Sequence, residues 1–195
     1  NFQIIVVDDG SVDNTFNIVK KFDFIELYRH KKNQGKGEAL KTGVAKAQGD
    51  LIYICDSDLS TPIEYLDVFL DKYNSTSADI IIGNRKSQES SVEVSFHRKL
   101  LGQFGNLLIK GLLRLPYDDT QCGFKLFTNE SAGLFSSLTI KRWGFDFELL
   151  KLAQKRGFKV IDIPVEWVEV GGSNVKLTSY LNTLKDLFTV WWKYR

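Results

Sequence analysis

The sequence predicts an α/β fold in which a mostly parallel sheet is flanked by helices and followed by a C-terminal amphipathic helix. Three observations carry that prediction. Short apolar runs alternate with helical patterns through the first half of the chain, as βαβ units require. The first of them, residues 2–8, is continuous Ile and Val, the pattern of a strand buried on both faces. Near the end, Leu177, Leu181, Leu184, Phe188 and Trp191 recur at helical spacing.

The first strand covers residues 2–8 and stops at Asp8-Asp9-Gly10-Ser11. Asp13 or Asn14 caps a short helix to about Phe22, and a second strand runs from Phe24 to Tyr28. The loop 30–35 leads into a helix over 36–48 with Ala39, Leu40, Val44 and Ala47 on one face. A third strand, Leu51 to Cys55, precedes the polar loop 56–61; Pro62 suits the first turn of the next helix, which reaches about Tyr73. Residues 78–82 form a fourth strand. In the second half, Phe96, Leu100, Leu101, Phe104, Leu107, Leu108, Leu112 and Leu115 mark a long amphipathic helix. A short strand at 123–128, a helix at 144–156 and a strand at 158–170 follow.

With 195 residues, 43% hydrophobic and 26% charged, the chain is globular rather than disordered or collagenous. Its net charge of +2 argues against a generic nucleic-acid binder. Two cysteines, Cys55 and Cys122, make no disulfide scaffold and suit a reducing compartment, so a cytoplasmic location is expected. No apolar run reaches the roughly 18 residues of a membrane span. Because the chain opens directly in strand-like residues without a Met, residues 1–195 read as a single domain lacking its first strand.

In open α/β sheets, ligands bind beyond the carboxyl ends of the strands. Three polar clusters sit at such ends: Asp8-Asp9-Gly10-Ser11, Asp56-Ser57-Asp58 and Gly83-Asn84-Arg85. A chain this rich in Asp holds about one Asp-x-Asp by chance, so the argument for 56–58 is its position directly after an apolar strand. Two crowded carboxylates there call for a cation between them. Oxygen ligands favour Mg2+ or Mn2+, which also take oxygens of a bound diphosphate. Capping the loop is the structural alternative. Asp8 and Asp9 suit hydrogen bonds to a base or ribose, although Asp-Gly-Ser is also ordinary turn chemistry. No glycine-rich phosphate loop follows the first strand, which disfavours a dinucleotide dehydrogenase or a P-loop enzyme. Among the basic residues of 29–46, Lys36, between Gly35 and Gly37 at a helix start, is the one placed to meet an anion.

Three segments in this order, 7–15 (Val-Asp-Asp-Gly-Ser-Val-Asp-Asn-Thr), 33–37 (Asn-Gln-Gly-Lys-Gly) and 56–58 (Asp-Ser-Asp), resemble the family 2 glycosyltransferases of the GT-A (Rossmann-like) fold. Two further segments, 119–127 (Asp-Thr-Gln-Cys-Gly-Phe-Lys-Leu-Phe) and 142–150 (Arg-Trp-Gly-Phe-Asp-Phe-Glu-Leu-Leu), resemble the branch holding dolichyl-phosphate β-glucosyltransferases and dolichyl-phosphate mannose synthases, the former more closely. The resemblance covers nearly the whole chain. It implies an inverting, metal-dependent hexosyltransferase that moves a hexose from a nucleotide sugar to a polyprenyl phosphate. Glucose from UDP-glucose is the favoured donor, with GDP-mannose open. By the same resemblance Asp8 and Asp9 contact the nucleoside, Asp56 faces the ribose or the metal, Asp58 holds the metal, and Arg85 and Arg98 hold the acceptor phosphate. Two departures stand out. Gly102 occupies a position where part of the family carries a hydroxyl, and the family's opening strand, usually ending Pro-x-Tyr-Asn-Glu, is missing.

The chemistry is consistent with those residue types. A phosphate monoester has a second pKa of about 6, so the nucleophile is already charged at neutral pH and needs no strong base. The protein must instead bring two anions together, for which Arg85, Lys86, Arg98 and Lys99 supply cations. Asp119 and Asp146 are candidates for orienting acceptor or sugar hydroxyls, with a turn cap and a helix N-terminal charge as their structural alternatives. Aromatic and basic residues on helix 96–115 and on the C-terminal helix suit the cytoplasmic face of a membrane, and burial against the sheet would explain the same pattern. A family 2 transferase acting on a sugar hydroxyl, or a non-catalytic nucleotide-sugar-binding or membrane-docking module, remains open. The oligomeric state is not legible.

Overall fold

Two hydrogen-bonded sheets organise the chain. The structure is a computed structural model that describes residues 2–85, 96–167 and 177–195, with the side chains of 96–103, 177, 178 and 180 excepted. The roles expected of Lys86 and of the Arg98 and Lys99 side chains therefore lie outside the described residues.

In the first sheet β1 (Ile4–Asp8) pairs in parallel with β2 (Ile25–Arg29), Ile4 opposite Ile25 and Asp8 opposite Arg29. The short helix α1 (Thr15–Val19) connects them, and α2 (Lys36–Val44) packs on β1. The second sheet has the order β3-β5-β4-β6, formed by β3 (Leu51–Ile54), β4 (Ile80–Asn84), β5 (Lys125–Thr128) and β6 (Val160–Pro164). β4 and β6 are parallel, and β5 lies between β3 and β4, antiparallel to both. The expected parallel layout thus holds with one strand reversed. That reversal has a consequence for the site: the start of β5 reaches the same rim as the ends of β3 and β4.

Side chains alternate across β4. Ile80 and Ile82 face one core with Phe127, Ile109, Leu113, Phe147, Leu187 and Val190, while Ile81 faces the other with Phe69, Phe124, Leu126 and Val165. Helices therefore cover both faces: α3 (Tyr65–Thr76) on one, and α4 (Phe96–Leu113), α6 (Phe145–Arg156) and α7 (Leu177–Tyr194) on the other. Each fully buried Phe or Ile contributes about 1.5–3 kcal/mol. A short helix α5 (Asn129–Ala132), capped by Thr128 Oγ1 accepting from Ser131 N at 3.2 Å, runs into a 3-10 turn over Gly133–Ser137; neither has a periodic signature in the sequence. α6 stops at Gly157, whose φ of +75° a side chain would strain.

The two amphipathic helices divide their apolar residues between inside and outside. α4 buries Ile109 and Leu113 and exposes Phe104 and Leu107. α7 buries Leu187 and Val190 and exposes Leu181, Leu184, Phe188 and Trp192, so the stripe singled out by spacing is largely the outer one. α4 and α7 pack against each other. No helix among the described residues is long and apolar enough to cross a membrane. Cys55 is exposed, Cys122 is buried, and neither is in a disulfide.

Candidate active site

Three strand ends and one helix start meet at the rim. β3 ends in a tight turn in which Leu59 N donates to Asp56 O at 3.1 Å and Ser60 N to Asp58 Oδ1 at 3.0 Å. Leu59 closes that turn at φ +50°, a left-handed conformation that is unfavourable for a branched side chain and marks a shaped loop. Asp58 is exposed. Asp56 lies directly against Gly123, where a β-carbon would stand 2.6 Å from its Cγ. Ser60, Thr61, Gly123, Phe124 and Trp167 line a groove beside it.

Cations alternate with these carboxylates. Lys36 Nζ donates to Asp56 Oδ1, 5.7 Å above the centre of the Trp143 ring. Burial opposes the charge on Lys36, but Asp146 and Asp56 together hold its pKa above the usual lysine value. Asp146 is the second residue of α6 and is buried; Lys125 Nζ, the first residue of β5, stands 2.5 Å from its Oδ1 and also donates to Cys122 O. Burial pushes the Asp146 carboxyl up, against the pull of Lys125 and Lys36.

Arg85 follows β4 directly. Asp119 takes it at two points and also accepts from Arg85 N at 3.2 Å and Gln121 N at 3.1 Å. Burial would raise Asp119, and Arg85 overturns that to hold it below the usual carboxylate range. The guanidinium stands 5.8 Å over the Trp167 ring. Asp119, a candidate for orienting hydroxyls, holds Arg85 at two points.

On the β1 side the carboxylates are turned inward. Asp8 is buried, with Arg29 Nε 3.0 Å from its Oδ2 and Ser11 N donating to Oδ1 at 2.8 Å. Asp9 accepts from Gln34 N at 2.9 Å and Gly35 N at 2.7 Å and meets His30 Nδ1 at 2.6 Å. Burial raises the Asp9 carboxyl, but those backbone and imidazole bonds hold it below its ordinary value. Asp9 thus shapes the loop 30–35 that delivers Lys36, and both side chains are held by protein partners.

The donor chemistry of the rim fits a hard divalent cation. Asp56 and Asp58 offer oxygens two residues apart on one turn, and no cluster of three or more His, Cys, Asp or Glu among the described residues could hold a metal unaided. Remaining ligands would have to come from a bound diphosphate and water, as Mg2+ or Mn2+ accepts. Lys125, Gly123, Trp143 and Trp167 are the site residues that spacing did not assign. Lys125 carried a signal, being a lone cation in the apolar run Phe124 to Phe127.

A sheet whose strand ends gather an Asp-x-Asp turn and opposing cations, flanked by helices on both faces, defines the GT-A class. The chain belongs to glycosyltransferase family 2: the model of "Glycosyl transferase family 2" matches residues 1–133. Two similar curated proteins are a dolichyl-phosphate beta-glucosyltransferase of Trichomonas vaginalis, 38% identical over 97% of this chain and 59% of that protein, and one of Homo sapiens, 36% identical over 99% and 64%. The chain thus spans about three fifths of the length of these relatives. Among solved structures, glucosyl-3-phosphoglycerate synthase of Mycobacterium tuberculosis with Mn2+, uridine diphosphate and phosphoglyceric acid superposes with a TM-score of 0.70 at 18% identity, covering 97% of this chain and 67% of that one. The same enzyme with Mn2+ and UDP-glucose gives 0.67 at 19%, covering 95% and 67%. At these identities the likeness establishes the fold alone.

Proposed function

We propose that this chain is the transferase domain of an inverting hexosyltransferase that moves glucose from UDP-glucose to a polyprenyl phosphate. The observation that carries the reading is the charge layout of one rim, where the Asp56/Asp58 turn lies among Lys36, Lys125 and an Arg85 held rigid by Asp119. A reaction between two anions needs cations fixed in advance, and a two-point Asp119 contact fixes Arg85 better than a single bond could. Glucose is favoured over mannose because the similar proteins named above are glucosyltransferases.

Asp58, with Asp56 beside it, would hold the divalent cation, which when bound stabilises charge on the departing nucleoside diphosphate. Lys36 supplies a further positive group on that side. Arg85 receives the acceptor phosphate, whose second pKa of about 6 leaves it nucleophilic at neutral pH. Trp167 and Phe124 wall the groove. The outward apolar residues of α4 and α7, with Lys185 and Arg195, rest at a lipid surface and bring the polyprenyl chain to the rim. On this reading the domain works at the cytoplasmic face of a membrane.

A sugar-hydroxyl acceptor is the second reading, favoured by Asp146, a rim carboxylate between Lys125 and Lys36 whose burial raises it above its ordinary value. Incubation with labelled UDP-glucose or GDP-mannose, polyprenyl phosphate and Mn2+ tests the first reading. Lipid-soluble label from UDP-glucose is expected, and its absence with both donors overturns the proposal. Asp58→Ala should lose at least about 100-fold in turnover. Asp146→Asn separates the acceptors, since only a hydroxyl acceptor requires it as a base.

A further inference from the structure

Lys36 is the first residue of α2, and Gly35 before it takes φ +109° with its N–H given to Asp9. That turn sends the lysine side chain across the rim to Asp56 rather than into solvent. Trp143 lies under the ammonium, and the Asp146 carboxylate stabilises its charge. Gly123 backs Asp56 closely on one side, while the other side of the carboxylate is open at the rim. The Asp56 carboxylate is therefore already neutralised by a protein cation, on the turn that also carries Asp58.

A divalent cation at the turn and the Lys36 ammonium would compete for one carboxylate. Building on the nucleotide-sugar reading of this rim, we infer that Lys36 is a resident counter-ion which Asp56 exchanges for the donor's metal, and that the displaced ammonium then pairs with the donor's diphosphate. Metal alone binds weakly under this arrangement, because it must displace Lys36 with no new partner for the lysine. Nucleotide supplies that partner. Metal and nucleotide consequently reinforce each other through Lys36, and the coupling is reciprocal. The exchange also keeps two adjacent carboxylates from standing uncompensated between turnovers.

Isothermal titration of Mn2+ alone, and of UDP at saturating Mn2+, distinguishes this from a purely structural ion pair. Lys36→Met is expected to bind Mn2+ alone about tenfold more tightly than the unaltered chain, and UDP with Mn2+ about tenfold more weakly, a coupling of ordinary size. Lys36→Gln should show the same pair of opposed shifts and serves if the methionine variant does not fold. Lys36→Arg, keeping the charge, should leave Mn2+ binding weak. Unchanged or weaker Mn2+ binding in the neutral variants, with UDP binding intact in the unaltered chain, overturns the exchange. If the unaltered chain binds no UDP in the presence of Mn2+, the nucleotide-sugar reading itself falls.

Discussion

Arg85 and Asp119 meet at two points, with Nε 2.6 Å from Oδ2 and Nη2 2.9 Å from Oδ1. The residues are 34 apart in sequence, one following β4 and the other preceding β5, so the contact exists only because those strands are neighbours. It fixes the plane of the guanidinium, which a lysine at position 85 could not reproduce.

Asp119→Ala should therefore weaken folding and acceptor use together. Loss of one partner from a largely buried pair is expected to reduce stability by about 2–3 kcal/mol, below the full value for a fully buried pair because Arg85 is about one third exposed. Arg85→Lys should keep most of the stability and still raise the KM for polyprenyl phosphate by about tenfold. Denaturant unfolding with acceptor-dependent kinetics checks both; an unchanged KM in Arg85→Lys would remove Arg85 from the acceptor site.

Gly123→Ala tests the seat of Asp56. An added β-carbon forces the carboxylate away from its position beside Lys36. The Asp56 side chain is partly exposed and can swing outward, so a stability loss of no more than about 1 kcal/mol is expected. Turnover should fall by about 100-fold, because a displacement near 1 Å at such a site has that effect. Thermal melting and donor kinetics on one preparation would show whether the two separate.

Glu148 sets an acid limit on stability. It is buried on α6 and accepts from Thr139 N, Thr139 Oγ1, Ile140 N, Lys193 Nζ and Tyr194 OH, binding the last turn of α7 to the loop before α6. Burial alone would raise its carboxyl, but those donors hold it below the usual value. The folded chain consequently binds fewer protons there than the unfolded chain, whose Glu titrates at about 4.3. Its contribution is complete above that pH and is lost as pH falls through the folded value. Asp9 and Asp119 act in the same direction, whereas Asp146, held above its ordinary value, favours the folded state at the acid end and loses that contribution as pH rises. Urea unfolding from pH 3 to 6 should thus show stability rising with pH. Glu148→Gln is expected to flatten that slope and lower stability by about 2 kcal/mol at neutral pH; an unaltered slope would show that other groups set it.

The outer face of α4 and α7 should govern lipid binding. Phe188 and Leu107 are both more than half exposed, and replacing them removes no core contact. Leu107→Glu with Phe188→Glu should reduce sedimentation with vesicles containing anionic lipid by about tenfold or more, with the melting temperature unchanged. Retention on vesicles by the double variant would assign this face to something other than a membrane.

Much of the strand-end chemistry was legible because it is local. Asp56-Ser57-Asp58 follows an apolar strand directly, and Lys36 sits between two glycines at a helix start; both facts are written within a few residues. The partners were not legible. That Lys36 meets Asp56 and not solvent, and that Asp119 holds Arg85, depends on which strands lie side by side.

The helices show the same division. Spacing marked 96–115 and the last twenty residues as amphipathic helices, but each carries apolar residues on two sides, so periodicity could not say which side is buried. Packing chose Ile109, Leu113, Leu187 and Val190 for the core and left Phe104, Leu107, Leu181 and Phe188 outside. The sequence by itself determined the order of strands and helices, the acidic turn and the family's motifs, since each depends on neighbours along the chain. Only the tertiary structure decided that β5 runs backwards between β3 and β4, which brings Gly123 and Lys125 to the rim, where Asp56, Asp119 and Asp146 each meet a cation from a distant segment. Charge pairing at that rim is a property of strand adjacency, and adjacency is settled by burying both faces of the sheet at once.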